Sequence, residues 1–186
     1  MKEILRSLTF LLFLTIFTGL LYPLLVTGMA QLFVSRANGS LVYQGQSAVG
    51  SELIAQNFAK PGFFHSRPSA ADFATVPSGA SNAAATNKTW QTTVLERRRV
   101  LQADNPGIIV PGDLLAASAS GLDPHISPEA AYFQLPRIMK ARKLSAEQKK
   151  SLEQHLEESI EHPQFEILGQ ERINVLMLNL WMEKNL

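Results

Sequence analysis

Hydrophobic residues are distributed very unevenly along the chain. From Ser7 to Ser35 there are 29 residues without a charged side chain. A helix of that length would extend about 43 Å, since each residue adds about 1.5 Å, and the hydrocarbon core of a bilayer is roughly 30 Å thick. The pattern therefore predicts one transmembrane helix over residues 8–34, a short segment of residues 1–7 before it and a separate domain of residues 35–186.

A cleaved signal peptide is the alternative interpretation of this apolar segment. Small residues near Ala30 would permit cleavage, but the run is far longer than the roughly 7–15 apolar residues of a signal peptide. We therefore favour an anchor. Pro23 should kink the helix, and Gly19 and Gly28 are small enough to let another membrane helix pack closely.

Charges beside the span predict its orientation. Lys2 and Arg6 precede it, whereas Arg36 is the only basic residue between the span and Lys60. Positively charged flanks usually stay in the cytoplasm. The N-terminus is therefore expected in the cytoplasm and residues 35–186 on the other side of the membrane.

Helical patterns dominate the rest of the sequence. Trp90, Val94 and Leu101 would share one face of a helix from Lys88 to Ala103. Two more helices are predicted: residues 129–143 with a kink or restart at Pro136, and a charged helix that begins with a Ser145–Gln148 capping box. The last segment could be a helix capped by Asn174 or a strand, and its apolar run without alternation favours a buried helix.

Strand signals are few and short. Leu41 to Gln44 and the β-branched residues Ile108 to Val110 favour strands, and Ser51 could cap a short helix. Residues 76–87 are rich in small side chains and predict a long loop. The expected fold class is α/β in the α+β sense, helix-rich with a small sheet, plus the one N-terminal transmembrane helix.

Composition excludes several classes of function. The chain has 17 basic and 16 acidic residues, so it lacks the basic excess of a nucleic-acid-binding protein. It has no cysteine, which excludes disulfides, thiol catalysis and thiolate metal sites. The consecutive arginines 97–99 are interpreted as a solvated helix face.

The segment "SGLDPHISPEAA" contains the strongest candidates for chemistry. Asp123 and His125 lie two residues apart, but Ser127, Pro128 and Glu129 are an ordinary helix start: a capping side chain, a proline at the first position and an acid in the first turn. We therefore interpret Asp123 and His125 as a hydrogen-bonded loop before the Ser127 cap.

No catalytic or metal motif accompanies this segment. The four histidines are not paired at metal-ligand spacing, and the nucleophile-elbow, phosphate-loop and dinucleotide fingerprints are absent. No catalytic or metal residue is therefore assigned. Two alternatives stay open: a membrane-anchored periplasmic hydrolase built on Ser120, Asp123 and His125, and a ligand-binding module.

Four segments, in order, resemble one known family. "FFHSRPSA" (63–70), "SGASN" (78–82), "SGLDPHISPEAA" (120–131) and "LGQERINVLMLNL" (168–180) are similar to signature stretches of KdpC, a subunit of bacterial potassium-transporting P-type ATPases. The length and the N-terminal span also fit. Ala80 departs from the family's usual second glycine, and His65-Ser66 from its usual Trp-Gly.

The resemblance implies a non-catalytic, single-pass subunit of the bacterial inner membrane with a periplasmic domain. Its implied partners are a KdpA-like channel subunit that holds potassium, a KdpB-like catalytic subunit that holds ATP and Mg, a small KdpF-like peptide and membrane lipid. No cofactor is assigned to this chain. The family is described as a catalytic chaperone that raises the ATP affinity of the catalytic subunit.

The matching loops supply candidate partner-contact residues. They are Arg67, Pro68 and Ser69 in "SRPSA", Ser81 and Asn82 in "SGASN", and Asp123, His125, Ser127 and Asn174 in the two later segments. The two loops are expected to dock onto a partner, because they are low in bulky apolar side chains.

Overall fold

The computed structural model describes residues 1–186, which form two compact units, Met1–Leu41 and Val42–Leu186. The first unit is helical. It contains α1 (Lys2–Ile16), α2 (Tyr22–Ala30) and α3 (Val34–Ala37), joined by a π turn at Phe17–Leu21 and a 3-10 turn at Gln31–Phe33. The helical stretch Lys2–Ala37 has 36 residues and a mean hydropathy of 2.1 over its most apolar window, none of which is buried. It is long and apolar enough to cross a membrane.

The π turn explains how this helix accommodates Pro23. Proline lacks an N–H, and its ring crowds the carbonyl four residues earlier, which is that of Gly19. The wider turn at Phe17–Leu21 contains Gly19 and ends just before α2, whose first turn contains Pro23. No atom lies within 4 Å of a Cβ built at Gly19 or Gly28, so their role in helix packing stays a prediction.

The second unit has its core between three helices. These are α5 (Pro128–Arg142), α6 (Ala146–Glu158) and α7 (Val175–Asn185). Their buried side chains form one cluster with Phe64, which is fully buried; it includes Ala130, Phe133, Ile138, Leu152, Leu156, Leu178 and Met182. By contrast, α4 (Lys88–Asp104) buries no residue completely and therefore lies at the surface of this unit.

Two small two-stranded sheets complete the unit. β1 (Leu41–Gln44) pairs with β2 (Ser47–Ser51), and β3 (His125–Ile126) pairs antiparallel with β4 (Ile173–Asn174). The α+β class with little sheet is therefore confirmed.

Two local predictions were wrong. Ile108 to Val110 is a loop: Ile108 and Ile109 are exposed, and prolines on both sides prevent a regular ladder. Ser51 ends β2 instead of starting a helix. Its hydroxyl does accept from the Leu53 N–H at 3.1 Å, but only a turn follows.

Helix starts were predicted well. Ser127 caps α5, Ser145 and Gln148 form the capping box of α6, and Asn174 caps α7. The helix from Lys88 ends at Asp104, one residue beyond the prediction, and residues 76–87 contain no helix or strand.

A kink or a restart was predicted at Pro136, and the restart does not occur, because α5 continues through this residue. Pro136 and Tyr132 both lie on the exposed face of the helix. The Tyr132 carbonyl, which loses its hydrogen bond to the proline, therefore lies on the solvent-facing side, while buried residues on either side hold the helix in place.

Candidate functional site

The segment "FFHSRPSA" is held by two buried amide side chains. The Phe64 N–H donates to Asn179 Oδ1 at 2.8 Å, and Asn179 Nδ2 donates to the Phe64 carbonyl at 2.9 Å. Gln134 makes the same pair of bonds with His65, at 2.8 and 3.2 Å. The two amides thus replace the strand that would otherwise satisfy this extended backbone.

Two arginines of α5 fix residues 61–63, at the start of this segment. Arg137 donates to the carbonyl of Phe63 at 3.0 Å and also to that of Pro61. Arg142 donates to the carbonyl of Gly62 at 2.7 Å, and its guanidinium carbon lies 5.0 Å from the centre of the Phe63 ring. The backbone that leads to Arg67 is therefore firmly positioned.

The loops "SRPSA", "SGASN" and "SGLDPH" meet one another. Gly121 has a φ of +73°, and a Cβ at this position would lie 2.8 Å from the Gly79 carbonyl oxygen and 3.3 Å from Ser69 Oγ. The Ser118 N–H donates to the Pro68 carbonyl at 3.1 Å. Only glycine fits at 121, because three separate segments pass so closely there.

A row of ionisable side chains runs through this junction. Arg67 Nη1 lies 3.1 Å from Asp123 Oδ2, and His125 Nδ1 lies 3.6 Å from Asp123 Oδ1. His125 Nε2 is 3.8 Å from Glu161, which pairs with Arg172 at 3.0 Å. The row connects the "SRPSA" loop to the C-terminal segment.

The Asp123 carboxylate is held in its charged form by its neighbours. Burial alone would raise its pKa, but the His125 side chain and backbone N–H, together with the Arg67 charge, outweigh burial and hold the pKa of Asp123 below its ordinary value of 3.8. The His125 N–H donates to Asp123 Oδ1 at 3.0 Å. The carboxylate is thus charged and already paired, as the interpretation of a hydrogen-bonded loop requires.

The fourth segment joins the junction through β4. His125 pairs with Asn174 and Ile126 with Ile173, and the Val175 N–H donates to the Pro124 carbonyl at 3.0 Å. Asn174 accepts from the Met177 N–H and donates to the Glu52 carbonyl at 2.8 Å. One side chain therefore caps α7 and ties down the turn after β2.

The comparisons with known proteins match nearly the whole chain. Residues 4–184 match the family model "KdpC: K+-transporting ATPase, c chain". The chain belongs to the KdpC family. Proteins called "Potassium-transporting ATPase KdpC subunit" are 48% identical in Serratia proteamaculans (95% of each chain) and in Leptospira interrogans (95% of this chain, 91% of the relative), and 45% identical in Polynucleobacter asymbioticus over the whole of both chains.

The segments that suggested the KdpC family are thus the ones that the fold brings together. Arg67, Asp123, His125 and Asn174 lie in the junction, and Ser127 caps the helix beside it. Ser81 and Asn82 are exposed on the loop that follows Gly79. The use of these loops for partner contact stays a prediction.

A cleft opens beside the junction in this KdpC-family chain. Its volume is about 720 Å³, and its lining includes Arg67, Asp113, Asp123, His125, Glu129 and Arg172. Arg67 Nε is buried without a hydrogen-bond partner. The cleft is the place where the junction is accessible from outside.

The bonds of Gln134 and Asn179 to the backbone of His65 and Phe64, here called the amide clamp, were not predicted from the sequence. A signal was present, since each is a lone amide within an otherwise apolar helical run, "AAYFQLP" and "VLMLNLW". Both are buried, and buried amides need hydrogen-bond partners. Arg97 was also misread, because it donates to the Leu115 carbonyl at 2.9 Å and is partly buried, while Arg98 and Arg99 are exposed.

Proposed function

We propose that this chain is the accessory subunit of an ATP-driven potassium uptake complex in the bacterial inner membrane. The observation that carries the proposal is the full-length match to KdpC, with relatives named as subunits of a potassium-transporting ATPase. Its partners would be KdpA-like, KdpB-like and KdpF-like subunits.

In this proposal ATP is hydrolysed by the catalytic partner, where ATP and Mg bind, and potassium is held by the channel-like partner. Two features of this chain support a non-catalytic role. Its sequence has no aspartyl-phosphate motif, which is where the catalytic subunit of a P-type ATPase accepts the phosphoryl group. Its Asp123 carboxylate accepts hydrogen bonds from Arg67 and from the His125 N–H, which gives this residue a structural task within the chain.

The proposed orientation places the N-terminus in the cytoplasm and the second unit outside, as the Lys2 and Arg6 flank favours. ATP is a cytoplasmic nucleotide. A chaperone effect on ATP affinity would therefore reach the catalytic subunit through the membrane helices, as a coupling free energy between two sites.

The accessory role of the outer domain is to hold the channel-like and catalytic subunits together from the extracytoplasmic side. Deletion of residues 40–186 with the anchor retained should abolish potassium-limited growth and potassium-stimulated ATP hydrolysis. The control is the full-length chain with the same affinity tag, which should co-purify with two large membrane proteins. Normal transport by a complex that lacks the domain would overturn the proposal.

A further inference from the structure

The cleft beside the junction carries unbalanced negative charge. Four carboxylates and two guanidinium groups line it, and both arginines are already paired, Arg67 with Asp123 and Arg172 with Glu161. Asp113 accepts a hydrogen bond from the Ser127 N–H but has no cationic neighbour, and Glu129 is exposed and has none either. The cleft therefore attracts positive charge.

The segment that lines the cleft at Gln170 continues from a strained hairpin. Gln164 and Leu168 exchange two backbone hydrogen bonds, each 2.9 Å long. At its tip, Phe165 and Glu166 have φ values of +55° and +61°. Asparagine and glycine usually occupy such positions, and a bulky side chain there is strained.

The strain is not offset by burial within this chain. Phe165 is 84% exposed, Ile167 81% and Leu168 61%. On the cleft wall, Ile109 is 82% exposed. The loop of Ile109 and the hairpin of Phe165 thus expose apolar side chains near a negatively charged cleft. Exposed apolar groups next to unpaired charge are typical of an interaction surface.

We propose that the cleft and these two loops form a docking surface for a segment of another membrane subunit that carries Lys or Arg beside apolar side chains. The proposal rests on the accessory role proposed above and assigns its contact surface. Charge complementarity selects this occupant. An anionic lipid surface would be repelled by Glu129, Glu166 and Glu171, and a second copy of the chain would bring like charges together.

The absence of cysteine permits a direct test. Phe165→Cys and Ile109→Cys each introduce one thiol at the docking surface, and Glu153→Cys introduces one on the exposed side of α6 as a control. Each tagged full-length chain is expressed alone and with its complex, and then treated with a membrane-impermeant maleimide. We expect at least tenfold slower labelling at 165 and 109 in the complex only, and unchanged labelling at 153.

A charge reversal tests the electrostatic part. Glu129→Lys should weaken retention of the chain in the complex about tenfold and reduce the salt dependence of that retention, whereas Glu153→Lys should do neither. Loss of co-purification by Phe165→Cys or Ile109→Cys, with an unchanged unfolding midpoint, would also support the docking surface.

The remaining outcomes separate the two proposals. If the chains co-purify with the complex but 165 and 109 label as fast as in the chain alone, the docking surface is wrong and the accessory role stands. Slow labelling at 165 and 109 both in the chain alone and in the complex would indicate self-association of the chain, and this result would also overturn the docking surface. If the unmodified chain does not co-purify with other subunits, both proposals fail.

Discussion

Asn179 and Phe64, 115 residues apart in the sequence, are joined by two hydrogen bonds of 2.8 and 2.9 Å. Both residues are almost completely buried. The amide therefore satisfies a donor and an acceptor that no water or strand reaches, and it attaches the "FFHSRPSA" segment to α7.

Asn179→Leu should lower the free energy of unfolding by about 2–4 kcal/mol. Leucine has a similar volume but leaves the Phe64 N–H and carbonyl unpaired, and each buried unpaired group costs about 1–3 kcal/mol. Chemical denaturation of the full chain in detergent measures the change. Asn185→Leu on the same helix is the control and should change stability by less than about 0.5 kcal/mol, since its side chain is exposed. Equal effects would contradict the clamp.

Asp123→Ala should destabilise the chain by about 1–3 kcal/mol, because Arg67 and the His125 N–H both lose their acceptor. Asp123→Asn should cost less, since the amide oxygen can still accept from the N–H. Thermal unfolding of the two variants gives the order. A hydrolytic activity of the wild-type chain that disappears in Asp123→Ala would instead favour a catalytic role.

Asn174→Ala should cost more than Asn87→Ala, although both residues are N-caps. The cap alone is worth about 1 kcal/mol. Asn174 also donates to the Glu52 carbonyl and is buried, whereas Asn87 is exposed, so we expect about 2 kcal/mol against about 1. Denaturation midpoints of the two variants measure this difference. A larger loss of stability in Asn87→Ala would show that the bond from Asn174 to the Glu52 carbonyl is not a stabilising contact.

Stability should fall as the pH drops below about 6.5. Burial, followed by the charge of Arg137, lowers the pKa of His65 below 6.5, and burial also lowers the pKa of His155. The unfolded chain then takes up protons before the folded chain does, so the stabilisation present above pH 6.5 is lost on acidification. His65→Gln should flatten the pH dependence of the unfolding free energy between pH 5 and 6.5, as measured by denaturation at each pH. An unchanged pH dependence in this variant would contradict the role of His65.

Local features of this fold could be predicted from the sequence, whereas contacts between distant residues could not. Ser127, Ser145 and Asn174 were recognisable as caps because a cap acts within three or four residues of itself. The acceptors of Gln134 and Asn179 lie 69 and 115 residues away, and no local pattern specifies them. Pro136 was misjudged for a related reason: whether a proline breaks a helix depends on whether its face is exposed, which is decided by tertiary packing.

In the candidate site, too, single residues could be identified from the sequence but their mutual contacts could not. The sequence motifs identified Arg67, Asp123 and His125 as individual candidates, and the structure adds that they form one row with Glu161 and Arg172. Glu161 carried no signal of its own, and Arg172 was noted only as part of the matching segment 168–180. They face each other only because Glu161 and Arg172 also form an isolated backbone bridge.

The orientation in the membrane can be measured with the same thiol chemistry. Ser81→Cys should react with an impermeant maleimide in intact cells, because Ser81 is exposed in the unit proposed to lie outside. Glu3→Cys should react only after the membrane is permeabilised. The opposite pattern would place the domain in the cytoplasm and allow direct contact with nucleotide.

The long separation between Phe64 and Asn179 also dictates an order of events during synthesis. A ribosome that has made "FFHSRPSA" must add more than a hundred residues before the amide that holds this segment exists. The β3–β4 ladder likewise waits for Asn174. The anchor can enter the membrane early, but the core of the second unit cannot be completed until α7 emerges, and contacts this distant in sequence form slowly. A chain cut short before residue 179 would therefore lose its "FFHSRPSA" junction as well as its last helix. Folding of the whole domain thus requires an intact C-terminus.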